Sequence, residues 1–288
     1  ALSGEGEVPL TVREGRTFLK DNFSPRKNDL KTEEEKRETA LSFSDVYFRY
    51  EKNAPDVLRG VNTTINRSEI FCLLGANGAG KSTVLRAAAG LIKPYRGKIK
   101  TAKGAKTALL CQNVQDLFLM NTVKEDLMDI LSVYGIKKGE ANTKIEEISK
   151  MIGISHLLEK HPYDVSGGEA QKCTLAKVLL TEPDILLLDE PTKALDPAAK
   201  KELAVILRAL CKKGVTIFIV THDVEFAAEN ADRCALFFDG EILPASDIHT
   251  FFSANNFYTT AASRISRGTF DGAVTESDIL RLCGKEKK

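Results

Sequence analysis

The chain has 288 residues, 43% of them hydrophobic and 28% charged, a composition suited to one large globular α/β core with appendages. Lys+Arg 41 against Asp+Glu 40 leaves a formal net charge of +1, so bulk electrostatics gives no pull toward nucleic acid or an anionic membrane. The 6 cysteines are scattered without a CxxC or Cys/His cluster, which argues against a disulfide framework or a zinc site and favours a reducing, cytosolic setting.

Residues 1–40 hold few large apolar side chains and include the charged run Lys31–Glu38, which reads as a solvated linker or a short exposed helix. The N-terminus lacks the apolar core of a signal peptide and carries Glu5, Glu7 and Arg13. It starts at Ala1 without an initiator Met, as expected of a processed chain or a piece of a longer polypeptide. No stretch approaches the roughly 18–20 apolar residues that cross a bilayer. From Leu41 the pattern changes: Leu41–Tyr50 and Val57–Ile65 alternate apolar positions as half-buried strands do. Glu69–Leu74 is a short apolar run ending at Gly75, the pattern of a buried parallel strand in which Cys72 acts as a small hydrophobe.

A helix over Ser82–Gly90 and a strand over Ala105–Cys111 follow. Residues 122–165 lose the strand pattern and take helical spacing, as in Ile145, Ile148, Met151 and Ile152, and read as a helical insertion. The strands Asp184–Leu188 and Val215–Val220 flank a helix over Ala198–Cys211. Such βαβ units place ligands at the carboxyl ends of parallel strands, so the loops after Leu74, Leu188 and Val220 are expected to meet. The chain beyond residue 245 reads as a small helical extension.

Three segments carry chemistry. Gly75-Ala76-Asn77-Gly78-Ala79-Gly80-Lys81-Ser82-Thr83 fits GxxxxGK[ST] between a strand and a helix. Its glycines let backbone N–H groups turn inward onto phosphate oxygens, and the helix adds its positive end. Lys81 supplies charge for the β- and γ-phosphates, and the Ser82 hydroxyl suits Mg²⁺. Ile185–Leu188 ends in Asp189 and Glu190, placing one carboxylate to hold Mg²⁺ through water and another to orient or deprotonate an attacking water. Val165-Ser166-Gly167-Gly168-Glu169-Ala170-Gln171, before a helix starting near Lys172, forms a second anion-binding helix terminus; standing alone it would read as a Ser N-cap.

The order and spacing of the phosphate loop, Ser166–Glu169, Leu186–Glu190, Ala194-Leu195-Asp196 and Thr221-His222-Asp223 resemble the ABC-type ATPases over residues 41–245. That resemblance implies an α/β, P-loop NTPase nucleotide-binding domain with a mostly parallel core sheet, an N-terminal antiparallel β subdomain and a helical subdomain near 113–165. It implies two such domains pairing head to tail, so that Ser166, Gly167 and Gly168 of one close over the γ-phosphate in the other's loop. Tyr50 would stack on adenine, and Gln112 would touch Mg²⁺ and sense the transport partner. Glu190 would be the catalytic carboxylate, His222 would contact the γ-phosphate, and Asp196 would lie at the dimer interface.

Gln112–Phe118 and Asn121–Asp126 look like the CbiO-like ATPases of energy-coupling-factor importers, which take up vitamins and metal ions. Phe251–Thr260 and Leu10–Arg16 resemble the tail and linker of members that fuse two ATPase domains, so this chain is expected to be the second half of a tandem protein. The implied setting is the cytoplasmic face of a membrane, with ATP, Mg²⁺, a second ATPase domain and an integral membrane subunit as partners, and no nucleic acid. His156, His161 and His249 fall in no motif and read as surface or capping residues. Val165 departs from the family's usual Leu, Glu169 sets a charge near the partner's nucleotide, and Lys193-Ala194 replaces a small pair. A chromosome-associated ATPase would need a long coiled coil between Gln112 and Ser166, for which there is no room. A ribosome-binding tandem protein would show a strongly basic linker, and a degenerate non-hydrolysing domain would lack Glu190 or His222.

Overall fold

The structure is a computed structural model that describes residues 9–27, 37–113, 115–193, 195–255 and 257–284. Most of the Lys31–Glu38 run, the first eight residues, Val114, Ala194 and Asn256 therefore lie outside the described residues. After α1 (Val12–Asn22) and β1 (Arg26–Lys27), the chain forms β2 (Thr39–Phe48), β3 (Leu58–Asn66), β4 (Ile70–Leu74), α2 (Lys81–Ala88), β5 (Arg96–Thr101) and β6 (Thr107–Leu110). The helices α3 (Val123–Val133), α4 (Lys138–Ile152) and α5 (Gly167–Leu179) follow, then β7 (Ile185–Asp189), α6 (Pro197–Lys212), β8 (Thr216–Thr221) and α7 (Val224–Asn230). The last elements are β9 (Arg233–Phe238), β10 (Glu241–Ile242), β11 (Ser246–Asp247), α8 (Ile248–Ala254), α9 (Ala261–Ser266), β12 (Phe270–Asp271) and α10 (Glu276–Leu282).

The central sheet runs β10-β9-β4-β8-β7-β6, with β11 also on β9. Its interior pairs are parallel, and only β10 and β11 run antiparallel. The continuous apolar runs follow from burial on both faces. Ile70, Cys72 and Leu74 join Leu186, Leu188, Ile217 and Ile219 in a core under the helical side. Their neighbours Phe71, Leu73, Leu187, Phe218 and Val220 face the other way, under α2 and the antiparallel sheet β3-β2-β5. One residue of slip would exchange the two cores, so register is strongly fixed.

The insertion folds as α3 and α4 against α5. Asp126, fully buried on α3, accepts a 2.8 Å ion pair from Lys177 of α5, locking the insertion to the helix that follows the Ser166 segment. That helix starts at Gly167, not near Lys172: Ser166 caps it, and Glu169 returns the bond from its side chain to the Ser166 N–H at 2.8 Å. A reciprocal capping box satisfies the Ser166 and Glu169 amides and draws the two glycines into the helix.

The linker expected over residues 1–40 is folded where it is described. α1 begins in a capping box between Thr11 and Glu14 and lies against α9, while β1 pairs in parallel with β12. Leu19, Phe270 and Ala273 are buried at the centre of this small module, and the Phe23 and Phe270 rings sit 5.7 Å apart. The first and last parts of the described chain thus share a core. The extension beyond residue 245 also packs on the domain, because Phe251, Phe252 and Val274 enter the core on the helical side. His249 is not a surface residue: its Nδ1 is buried without a hydrogen bond, 3.8 Å from the Asp278 carboxylate.

Candidate nucleotide site

The loops after β4, β7 and β8 meet at the carboxyl end of the sheet, as the βαβ pattern implied. Two glycines of the Gly75–Thr83 loop are required by contact. A Cβ at Gly75 would stand 2.8 Å from the Phe237 carbonyl oxygen, and Gly80, at φ +117°, would put one 2.8 Å from Val57. β9 and the β2–β3 connection thereby press the loop into its curl. A cavity of about 340 Å³ opens inside it, lined by Asn77, Gly78, Gly80, Lys81, Ser82, Thr83, Gln112, Glu190, Lys193 and His222.

Lys81 is nearly buried. Its ammonium donates to the Gly75 carbonyl at 2.8 Å and the Ala76 carbonyl at 3.0 Å, and stands 3.4 Å from Glu190 Oε1. The other Glu190 oxygen lies 2.7 Å from His222 Nδ1 and accepts from Thr221 Oγ1 at 3.2 Å. Glu190 is held at φ +50°, a left-handed conformation uncommon for a side chain of this size. Such strain persists only where surroundings enforce it, here partly through the Glu190 N–H bond to the Val220 carbonyl at 2.9 Å. Ser82 Oγ donates to Asp189 Oδ1 at 3.0 Å. Burial raises the Asp189 carboxyl above its ordinary range, the Ser82 hydrogen bond opposes this, and the Glu190 charge adds to it.

Tyr50 lies just past β2, half exposed, with its hydroxyl 3.0 Å from Thr83 Oγ1. It borders a separate cavity of about 490 Å³ together with Gly78 and Ala79. Beyond Ser82 a wider cavity of about 850 Å³ passes Gln112, Asp189 and Glu190 and reaches Gly167. Ser166, Gly168 and Asp196 border neither phosphate-loop cavity: Asp196 caps α6 through the Ala198 and Ala199 N–H groups at 2.8 and 2.9 Å. The Glu169 carboxylate faces its own helix terminus, and the Ser166 N–H bond holds its pKa below the usual range. Thr221 and Lys193 were not singled out as site residues from the sequence. The position of Thr221 directly before His222 was the available signal for the first.

Fold and site together define a phosphate-loop nucleotide-binding α/β domain. The ABC transporter family model matches residues 58–193, and the energy-coupling factor transporter ATP-binding protein EcfA of Methanocaldococcus jannaschii is 35% identical over 73% of this chain and 82% of its own length. The chain belongs to the ABC transporter ATP-binding family. A putative ABC transporter ATP-binding protein of Bacillus thuringiensis subsp. konkukian is 38% identical over 96% of this chain but 52% of its own length, so the chain spans about half of that relative. Among solved structures, cbiO1 from Clostridium perfringens, part of the ABC transporter complex cbiONQ, superposes with a TM-score of 0.69 at 26% identity over 75% of this chain and 92% of that one.

Proposed function

We propose that ATP hydrolysis by this chain powers a membrane importer of the energy-coupling-factor type, with vitamins or metal ions as cargo. The similarity to EcfA and to cbiO1 supports that class. The observation that carries the site assignment is the convergence of Lys81, Glu190 and His222 on one cavity inside the phosphate loop. Backbone N–H groups of Gly75–Thr83 and the Lys81 ammonium hold the β- and γ-phosphates, and adenine stacks on Tyr50. Glu190 orients and deprotonates the attacking water, and His222 both fixes Glu190 and reaches the γ-phosphate.

Ser82 and Asp189, 3.0 Å apart, together with Gln112 on the same wider cavity form the hard oxygen set that Mg²⁺ takes. Mg²⁺ held there would supply positive charge against the phosphates, with Ser82, Asp189 and Gln112 as the residues that hold it. Ser166, Gly167 and Gly168 lie at a helix N-terminus whose amides suit a phosphate supplied by a second ATPase domain, fused or separate, paired head to tail. Asp196 lies at that dimer interface. Among the described residues no helix is long and apolar enough to cross a membrane. The chain acts peripherally at the cytoplasmic face, and the segment near 113–165 docks the integral membrane subunit, an apolar contact favoured by the exposed Leu119, Val133, Tyr134 and Tyr163.

The test is Glu190→Gln. It keeps the hydrogen-bonding shape but removes the charge, so ATP binding persists, turnover falls by about a thousandfold or more, and an ATP-bound dimer accumulates in size-exclusion chromatography. Hydrolysis at the unaltered rate would overturn the role of Glu190.

A further inference from the structure

We propose that Lys193 is a second cationic ligand for the terminal phosphate, acting in the same site as Lys81; the proposal rests on the reading that this cavity binds ATP. Lys193 follows β7 on the turn Pro191-Thr192-Lys193, and its peptide N–H donates to the Glu190 carbonyl at 3.2 Å. Pro191 and Thr192 are buried, so the turn is anchored and the side chain leaves it at a fixed place. That place is the rim of both the cavity inside the phosphate loop and the wider cavity beside Asp189.

The charges around it decide what Lys193 is available for. Lys81 is already engaged by two carbonyls and Glu190, and Glu190 is in turn occupied by Lys81, Thr221 and His222. Glu190 therefore needs no further counter-ion. Lys200, the next cation along the chain, is paired with Asp223 at 2.5 Å. Among the described residues no carboxylate lies within ion-pair distance of the Lys193 ammonium, which is exposed on the cavity rim. A flexible ammonium on a fixed turn, on the rim of the phosphate-loop cavity and beside a carboxylate already held by Thr221 and His222, is placed to meet the charge a γ-phosphate brings and ADP lacks. Its contribution is to terminal-phosphate binding and to discrimination between triphosphate and diphosphate.

Calorimetric titration of the chain with Mg²⁺ and either the non-hydrolysable analogue adenylyl imidodiphosphate or ADP tests this. Lys193→Gln is expected to weaken the analogue by about tenfold or more, the scale of one hydrogen bond to a charged group, and to change ADP by less than about twofold. Lys193→Arg is expected to keep most of the analogue's affinity. Equal losses for both nucleotides, or no loss for either, would overturn the assignment. So would a loss appearing only at concentrations where the chain self-associates, because Lys193 would then serve a neighbour's site. If the unaltered chain bound neither nucleotide, the ATP reading of the cavity would fail; if it bound both and Lys193→Gln matched it, only the role of Lys193 would fail.

Discussion

Truncating Phe270 to alanine should open the module built from the two ends of the described chain while leaving the nucleotide cassette folded. Phe270 is fully buried, and a phenyl side chain removes roughly 150–250 Å² from water. At about 25 cal/mol per Å² this is about 4–6 kcal/mol as an upper estimate, and core Phe→Ala substitutions cost about 3–5 kcal/mol. Among the described residues the fully buried part of the module's core is Leu19, Phe270 and Ala273, with partly buried side chains such as Phe18, Phe23 and Ile265 around it, and its ladder pairs two residues of β1 with two of β12. A core that small supplies no more than about 3–5 kcal/mol, so the substitution removes as much as holds the module shut. Hydrogen exchange followed by mass spectrometry reads the result. Amides of α1 should lose protection while those of β4, β7 and β8 keep theirs, and ATP affinity should change by less than about twofold. Retained protection in α1 would refute the cost assigned to Phe270, and parallel loss in the sheet strands would refute the separation of module from cassette.

Two further substitutions probe charges the fold has buried. Burial raises the Asp189 pKa, so the fold favours the protonated form more than the unfolded chain does. Its stabilising contribution is complete below the ordinary carboxylate pKa and is lost as pH rises through the raised folded value. Asp189→Asn should therefore raise the unfolding midpoint of the nucleotide-free chain at neutral pH, measured by calorimetry, while cutting Mg²⁺-dependent turnover by about 10–100-fold. A lower midpoint would contradict the burial argument. Among the described residues, Lys177→Met leaves the buried Asp126 with the Leu119 and Met120 N–H groups at 3.0 and 3.4 Å, and should cost about 3–5 kcal/mol in urea unfolding. A loss below about 1 kcal/mol would show that those amides suffice. The added change Asp126→Asn should recover much of the loss.

The parts of this molecule that could be read in advance are those governed by short-range chemistry. Gly75–Thr83, Asp189, Glu190 and His222 lie at strand ends where a run of buried residues stops and polar ones begin. Convergence of three such ends follows from parallel pairing alone. The antiparallel β2, β3 and β5 and the helical insertion match what the family resemblance implied. The module of α1, β1, α9, β12 and α10 was hidden because its contacts join residues at opposite ends of the sequence, such as Arg16 with the Arg264 carbonyl at 2.6 Å. No local pattern records a partner that distant. The start of α5 was misplaced because two glycines suppress helix propensity, whereas the Ser166–Glu169 capping box outweighs them. Glu169 adds a role that spacing alone did not assign, because in the fold its carboxylate caps its own helix.

The Lys81–Glu190 pair has a consequence for timing. One carboxylate is both the resting counter-ion of the phosphate-binding lysine and, in the proposed mechanism, the group that activates water. On that mechanism, arrival of a triphosphate would draw the lysine toward phosphate and free one oxygen of the carboxylate, while Thr221 and His222 keep hold of the other. The resting ion pair would then act as a quench that the substrate itself lifts.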